Sequence, residues 1–178
     1  MDYLTKATSK IELRKFASEL RALFGIPIIG PFPVLSVLDM LKDVFFGCDY
    51  QVLPDSDFPE KTMARCRENS MGGYTVEIRE SVYNKARKGN GPSLGFVCHE
   101  ICHIFLFYKG FTPIYEYSFD MFSLRPFESV EWQAKYLCGE VMIPFEESIG
   151  MCEEEIINKY NVSFSYANSR VNKGGGKQ

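Results

Sequence analysis

The chain has 178 residues, of which 46% are hydrophobic, 15% aromatic and 24% charged, and its net charge is −3. This is the size of one domain with enough apolar residues for a core, so intrinsic disorder is excluded. The slight acidic excess argues against direct nucleic-acid binding. No apolar stretch is long enough to span a bilayer, and the N-terminus lacks the apolar segment of a secretory signal. We therefore expect a cytoplasmic protein with no membrane partner.

Six cysteines are present, at positions 48, 66, 98, 102, 138 and 152. An even number is compatible with disulfides, but the expected compartment is reducing and the sequence contains no Cys-x-x-Cys pair. We expect all six to be reduced thiols that act mostly as small apolar residues.

The N-terminal half begins with helical patterns and continues with strand-like ones. Apolar residues recur at helical spacing over residues 10–24, and a second amphipathic helix is predicted over 34–46, after a proline-rich connector. Short β-prone segments follow at 50–53 and 74–78. The second of these alternates apolar and charged residues, which predicts a half-exposed edge strand.

Two long helices dominate the C-terminal half. They are predicted at 94–108, after a polar, glycine-rich stretch, and at about 127–143, ending before Pro144. An acidic helix, a turn at Asn161 and a last helix starting near Ser163 complete the chain. The expected units are N-terminal helices (1–47), a core (48–145), a helical appendage (146–172) and a flexible tail (173–178).

The only two histidines of the chain, His99 and His103, are four residues apart in the sequence His-Glu-Ile-Cys-His. On a helix this spacing brings both imidazoles and the carboxylate of Glu100 to one side. The surrounding helix is apolar on nearly every face, which predicts burial, and unpaired buried polar groups cost several kcal/mol. Structural histidines are the alternative, but a divalent ion explains this arrangement better. Tetrahedral zinc fits the spacing of the two ring nitrogens.

A third protein ligand must be a carboxylate or a thiolate, because no other histidine exists. The downstream helix offers Glu128, Glu131 and Glu140. On a helical wheel Glu131 borders the buried stripe beside Cys138, whereas Glu128 and Glu140 fall on faces expected to be solvent-exposed. Glu131 is the first choice and Glu128 the second, and a Cys138 thiolate would indicate a structural site.

The segments GFVCHEICHIFLF and EWQAKYLCGEVMIP resemble the ImmA/IrrE-type metallopeptidases, whose members pair an AHELGH helix with an E-x-Q-A-x-x-F-A-x-x-L-M-P helix. Glu131, Gln133, Ala134 and the final Met-x-Pro fall in register. Leu137 and Cys138 stand where the family tends to have Phe and Ala, and Cys98 and Cys102 replace the usual Ala and Gly. The resemblance also includes VYNKARKGNG and NVSFSYANSRV and extends over about residues 45–172.

The resemblance implies zinc bound by His99, His103 and Glu131, with Glu100 as catalytic base. The implied fold is α+β and zincin-like, with a small sheet whose edge strand packs on the buried HExxH helix, a second helix carrying Glu131, and extra helices at both ends. The implied activity is that of a gluzincin-type peptidase that cleaves or antagonises a helix-turn-helix repressor of phage type.

Zinc would lower the pKa of water toward about 7, and Glu100 could accept its proton during attack on a peptide carbonyl. Tyr115 and Tyr117 are candidate oxyanion donors, and ordinary packing is the alternative for both. The strand at 74–78 is a candidate for binding an extended substrate by strand addition, and a plain edge strand whose charged residues prevent aggregation is the alternative.

Two other function classes remain open from the sequence. One is a transcriptional regulator with a structural zinc site, and the other is a non-cutting interaction partner such as half of a toxin–antitoxin pair. The glutamate beside the histidines favours the peptidase, because a structural site needs no base.

Overall fold

The computed structural model describes residues 2–114 and 125–174, which form an α+β fold. Eight α-helices and three strands are found within these ranges. The helices are α1 (Lys10–Leu23), α2 (Val34–Asp39), α3 (Leu41–Val44), α4 (Glu80–Arg87), α5 (Gly91–Tyr108), α6 (Val130–Met142), α7 (Glu153–Tyr160) and α8 (Phe164–Gly174). The strands are β1 (Asp49–Leu53), β2 (Ala64–Glu68) and β3 (Tyr74–Arg79). No helix of this part of the chain is long and apolar enough to cross a membrane.

The sheet has the order β1-β3-β2, so the segment predicted as an edge strand is the central one. Strand β3 pairs in parallel with β1 and antiparallel with β2. Its apolar residues Val76 and Ile78 are fully buried, while Glu77 forms ion pairs with Arg65 and Arg67 of β2. Alternation of apolar and charged residues thus indicates that a strand has one buried and one polar face. Central strands and edge strands can both show this pattern.

Helix α5 is the central element of the fold. It packs against α2, α4 and α6 and against strands β2 and β3. Twelve of its 18 residues are buried, in agreement with the burial predicted for this helix. Among its large apolar residues, Phe96 and Tyr108 are exceptions, since both are exposed.

Several elements differ from the sequence prediction. The predicted helix at 34–46 is divided at Met40 into α2 and α3, although both parts keep their apolar face in the core. Strand β2 and helix α4 were not predicted, because both are rich in charged residues and bury few apolar ones. The buried residues of α4 are Val82 and Ala86, four residues apart on one face, and Tyr83 packs against the core beside them.

The N-terminal residues before α1 lie between two segments that are distant in the sequence and form backbone contacts with both. Leu4 forms β-bridges with both Ile114 and Ser129, and the backbone N–H of Thr5 donates to the carbonyl oxygen of Glu128 (2.8 Å). The side-chain amide of Gln133 donates to the carbonyl oxygen of Lys6 (2.8 Å). This N-terminal segment, residues 2–8, therefore fixes the start of α6.

The C-terminal helices pack back onto the core. Asn161 adopts the left-handed conformation (φ 52°) and separates α7 from α8. A Cβ atom at Gly91, the first residue of α5, would lie 2.8 Å from the carbonyl oxygen of Asn161, so only glycine permits this contact. Helix α8 continues to Gly174, into the predicted flexible tail, whose last four residues lie outside the described ranges.

Candidate metal centre

Helix α5 begins at a side-chain cap and ends after Tyr108. The side chain of Asn90 accepts a hydrogen bond from the backbone N–H of Ser93 (3.0 Å), and Gly110 follows the helix with a positive φ of 83°. The helix is regular between these ends. His99 and His103 consequently lie one turn apart on one side, with their ring centroids separated by 4.6 Å.

Helix α6 supplies a carboxylate from its first turn. Ser129 caps this helix by accepting a hydrogen bond from the N–H of Trp132 (2.9 Å). Asp2 reinforces the cap, since its carboxylate accepts hydrogen bonds from the Ser129 hydroxyl (2.6 Å) and the Glu131 N–H (3.2 Å). The position of the Glu131 backbone is therefore fixed from the N-terminal segment.

The side chains of His99, His103 and Glu131 converge. The two Nε2 atoms are 3.0 Å apart, Glu131 Oε2 lies 3.2 Å from His99 Nε2, and Glu131 Oε1 lies 3.6 Å from His103 Nε2. A tetrahedral zinc ion with bonds of about 2.0–2.1 Å separates its ligand atoms by about 3.3–3.4 Å. The observed separations bracket this value, so the three side chains fit a tetrahedral metal site.

The carboxylate of Glu131 and the imidazole of His99 shift each other's pKa values. The imidazoles of His103 and His99 beside its carboxylate hold the pKa of Glu131 well below its usual range. Burial opposes protonation of His99, but the hydrogen bond to Glu131 and the nearby charge of Glu100 outweigh it, and the pKa of His99 is raised. The Glu131 side chain is 50% exposed and that of His103 only 7%, so the cluster opens to solvent beside the carboxylate.

Glu100 is a buried carboxylate beside this cluster. Burial raises its pKa, while the two histidines and a backbone hydrogen bond from Cys66 oppose the rise. Cys66 belongs to β2, which is an outer strand of the sheet among the described residues, so this strand runs next to the cluster. Burial of this carboxylate beside two imidazoles places a potential proton acceptor next to the candidate metal ligands.

The other residues singled out from the sequence lie elsewhere. Glu128 precedes α6 in a 3₁₀ turn (Pro126–Glu128) and does not join the cluster, whose carboxylate is Glu131. The expectation of a solvent-facing Glu140 was wrong, because this residue is buried and paired with Arg14 and Arg170. Cys138 lies with other cysteines rather than with the histidines. Tyr115 and Tyr117 are outside the described residues.

Two features near the centre were not anticipated from the sequence. Asp2 reaches the start of α6 from 129 positions away, and no local pattern signals this contact. Cys98, Cys102 and Cys138 form a second cluster, which the four-residue spacing of the first two could have indicated. All six cysteines are free thiols, as expected.

Comparison with known proteins gives a structural similarity only. No protein family matches the chain, and no curated protein matches its sequence. Among solved structures, the fold is similar to that of a Mycobacterium tuberculosis transcriptional regulator, with a TM-score of 0.59 and 11% sequence identity. The similarity covers 90% of this chain and 55% of that one, so this chain spans about half of its length.

Proposed function

We propose that this protein is a zinc-dependent peptidase of the gluzincin type, with a zincin-like core and a relationship to the ImmA/IrrE-type metallopeptidases. The observation that carries the proposal is the convergence of His99, His103 and Glu131 beside the buried carboxylate of Glu100. A purely structural zinc site is usually closed by a fourth protein ligand. Among the residues that the structure describes, this cluster offers three ligand residues, and the Glu131 side chain at its edge is 50% exposed to solvent.

Zinc and the residues of the site would have separate roles in the reaction. When bound, zinc supplies Lewis acidity, which lowers the pKa of water toward about 7 and polarises a peptide carbonyl. His99, His103 and Glu131 would hold the ion. The buried Glu100 carboxylate beside them would take a proton from the attacking water and deliver it to the leaving amine.

Strand β2 is the surface that we propose for substrate binding. Strand β3, which the sequence suggested for this role, is paired on both sides and cannot accept another strand. Strand β2 is paired with β3 on one side, and the Cys66 backbone of β2 contacts Glu100. An extended peptide added along its outer edge would run past the cluster. We propose a helix-turn-helix repressor as the protein substrate.

The test is cleavage of a co-expressed helix-turn-helix repressor encoded beside this chain, followed by mass spectrometry. Glu100→Gln is compared with Glu128→Gln, the same substitution at a glutamate outside the cluster. We expect both variants to keep about one zinc per chain, and only Glu100→Gln to lose cleavage, by about 10²–10⁴-fold. Cleavage by Glu100→Gln at the wild-type rate would refute the assigned base.

A regulator without peptidase activity is the second candidate, and the fold similarity to a transcriptional regulator favours it. Zinc would then stabilise the fold without catalysis. The same experiment separates the candidates. A wild-type protein that binds the repressor and zinc but leaves the repressor intact would support a regulator or a toxin–antitoxin partner.

A further inference from the structure

A second cluster of potential metal ligands lies between α5 and α6. The Sγ atoms of Cys98, Cys102 and Cys138 lie within 4.8 Å of one another, and all three residues are fully buried. Cys98 and Cys102 each precede a histidine of the first cluster, so the two clusters occupy neighbouring faces of α5. They share both helices but no residue.

The surroundings of the three thiols are rich in sulfur. The Sδ atom of Met142 lies 3.8 Å from Cys138 Sγ, and the carbonyl oxygen of Gly95 lies 3.7 Å from it. Buried cysteines are common in protein cores, so burial alone implies no function. The convergence of three thiols from two helices, with a thioether beside them, is more specific. Thiolates and thioethers are the ligands of soft ions such as Cu(I).

A buried cation lies near this sulfur cluster. Arg21 is 1% exposed, and the acceptors of its hydrogen bonds within the described residues are backbone carbonyl oxygens only, among them that of Val141 (2.8 Å). Burial lowers the pKa of Arg21. The strongest opposing influence is the charge interaction with Cys98, which raises this pKa. Glu147, the nearby carboxylate, is already paired with Lys159 (2.8 Å). The guanidinium can therefore balance one negative charge on the thiols.

We propose that Cys98, Cys102 and Cys138 form a buried trigonal binding site for Cu(I). Metal–sulfur bonds of about 2.3 Å place three sulfurs around one ion about 4.0 Å apart, which the cluster accommodates. Binding releases two thiol protons and leaves one neutral thiol as the third ligand. The complex carries a charge of −1, which Arg21 balances, and copper stays in the +1 state, so no oxidant or reductant is needed.

The test uses the zinc-loaded full chain, to which Cu(I) is supplied without oxygen from a chelator-buffered solution. Because the three sulfurs are buried, copper is offered both during long incubation and during refolding. Copper and zinc are counted per chain, and X-ray absorption at the copper edge identifies the atoms bound to copper. Cys102→Ala and Cys138→Ser are compared with Cys152→Ser, a change at an exposed cysteine outside the cluster.

We expect one copper per chain with only sulfur neighbours and no loss of zinc. Cys102→Ala and Cys138→Ser should weaken copper retention at least tenfold, and Cys152→Ser should leave it unchanged. Displacement of zinc, nitrogen neighbours around copper, or equal retention in all variants would overturn the proposal. If the cluster variants fail to fold, the wild-type protein decides alone, since failure to retain copper on sulfur refutes the site.

Discussion

Glu140 on α6 allows a quantitative test of how helices α1 and α8 are held against that helix. Its carboxylate lies 3.3 Å from Nε of Arg14 on α1 and 2.9 Å from a guanidinium nitrogen of Arg170 on α8. The Glu140 side chain is 3% exposed, and the guanidinium groups of both arginines lie over the ring of Phe145. One carboxylate thus connects three helices.

Glu140→Gln keeps the size of the side chain and removes its charge. Breaking a buried ion pair costs about 3–5 kcal/mol, because the remaining charge loses its partner. Arg14 is partly exposed and can turn toward solvent, and Arg170 keeps its hydrogen bonds to the carbonyl oxygens of Gly139 and Ile143. We therefore expect the lower end, about 3 kcal/mol. With a urea m-value of about 2 kcal/mol/M, the unfolding midpoint falls by about 1.5 M.

Urea unfolding monitored by circular dichroism and by the fluorescence of Trp132, the single tryptophan, measures this shift. Glu154→Gln, at an exposed position of α7, is the matched control and should change stability by less than about 0.5 kcal/mol. If Glu140→Gln unfolds at the same urea concentration as the control with an unchanged m-value, the buried ion pairs do not stabilise the fold and the reasoning fails.

Three further outcomes are expected. Glu131→Ala should weaken zinc binding by more than about 100-fold in competition titrations and Glu128→Ala should not; the reverse result would mean that the cluster is wrongly assigned. Asp2→Ala removes two hydrogen bonds from the start of α6. It should lower the free energy of unfolding by about 1 kcal/mol, measured with urea, and weaken zinc affinity about tenfold. Unchanged affinity would show that this cap does not position Glu131. Gly91→Ala places a methyl group against the Asn161 backbone and should cost about 1–3 kcal/mol in thermal unfolding, whereas wild-type stability would mean that the contact relaxes freely.

The site was more predictable than the sheet around it. His99, Glu100 and His103 occur on one regular helix, so spacing alone determines their relative positions. Glu131 could be selected because α6 is also regular from its first turn onward. Glu140 was misplaced because a helical wheel describes one helix in isolation. The arginines that bury it come from α1 and α8, which no local pattern connects with α6.

The sequence prediction placed β3 at the edge of the sheet and missed β2, and these two errors have a related cause. Alternation reports which face of a strand is buried, and the position of that strand in the sheet depends on its partners. Strand β2 contains Arg65 and Arg67, which look like loop residues until Glu77 of β3 is placed opposite them. Its strand character comes from cross-strand pairing, which the sequence of a single segment does not contain.

The packing of α1 on α6 has a consequence for biosynthesis. Leu13, Phe16 and Leu20 lie on the buried face of α1, and α6 is the helix against which α1 packs most extensively. More than 100 residues separate the two helices along the chain. At about 5–20 residues per second, a ribosome needs on the order of 5–20 s to make them. During that time the apolar face of α1 lacks this partner, so nascent chains should be captured by chaperones until α6 has left the ribosome.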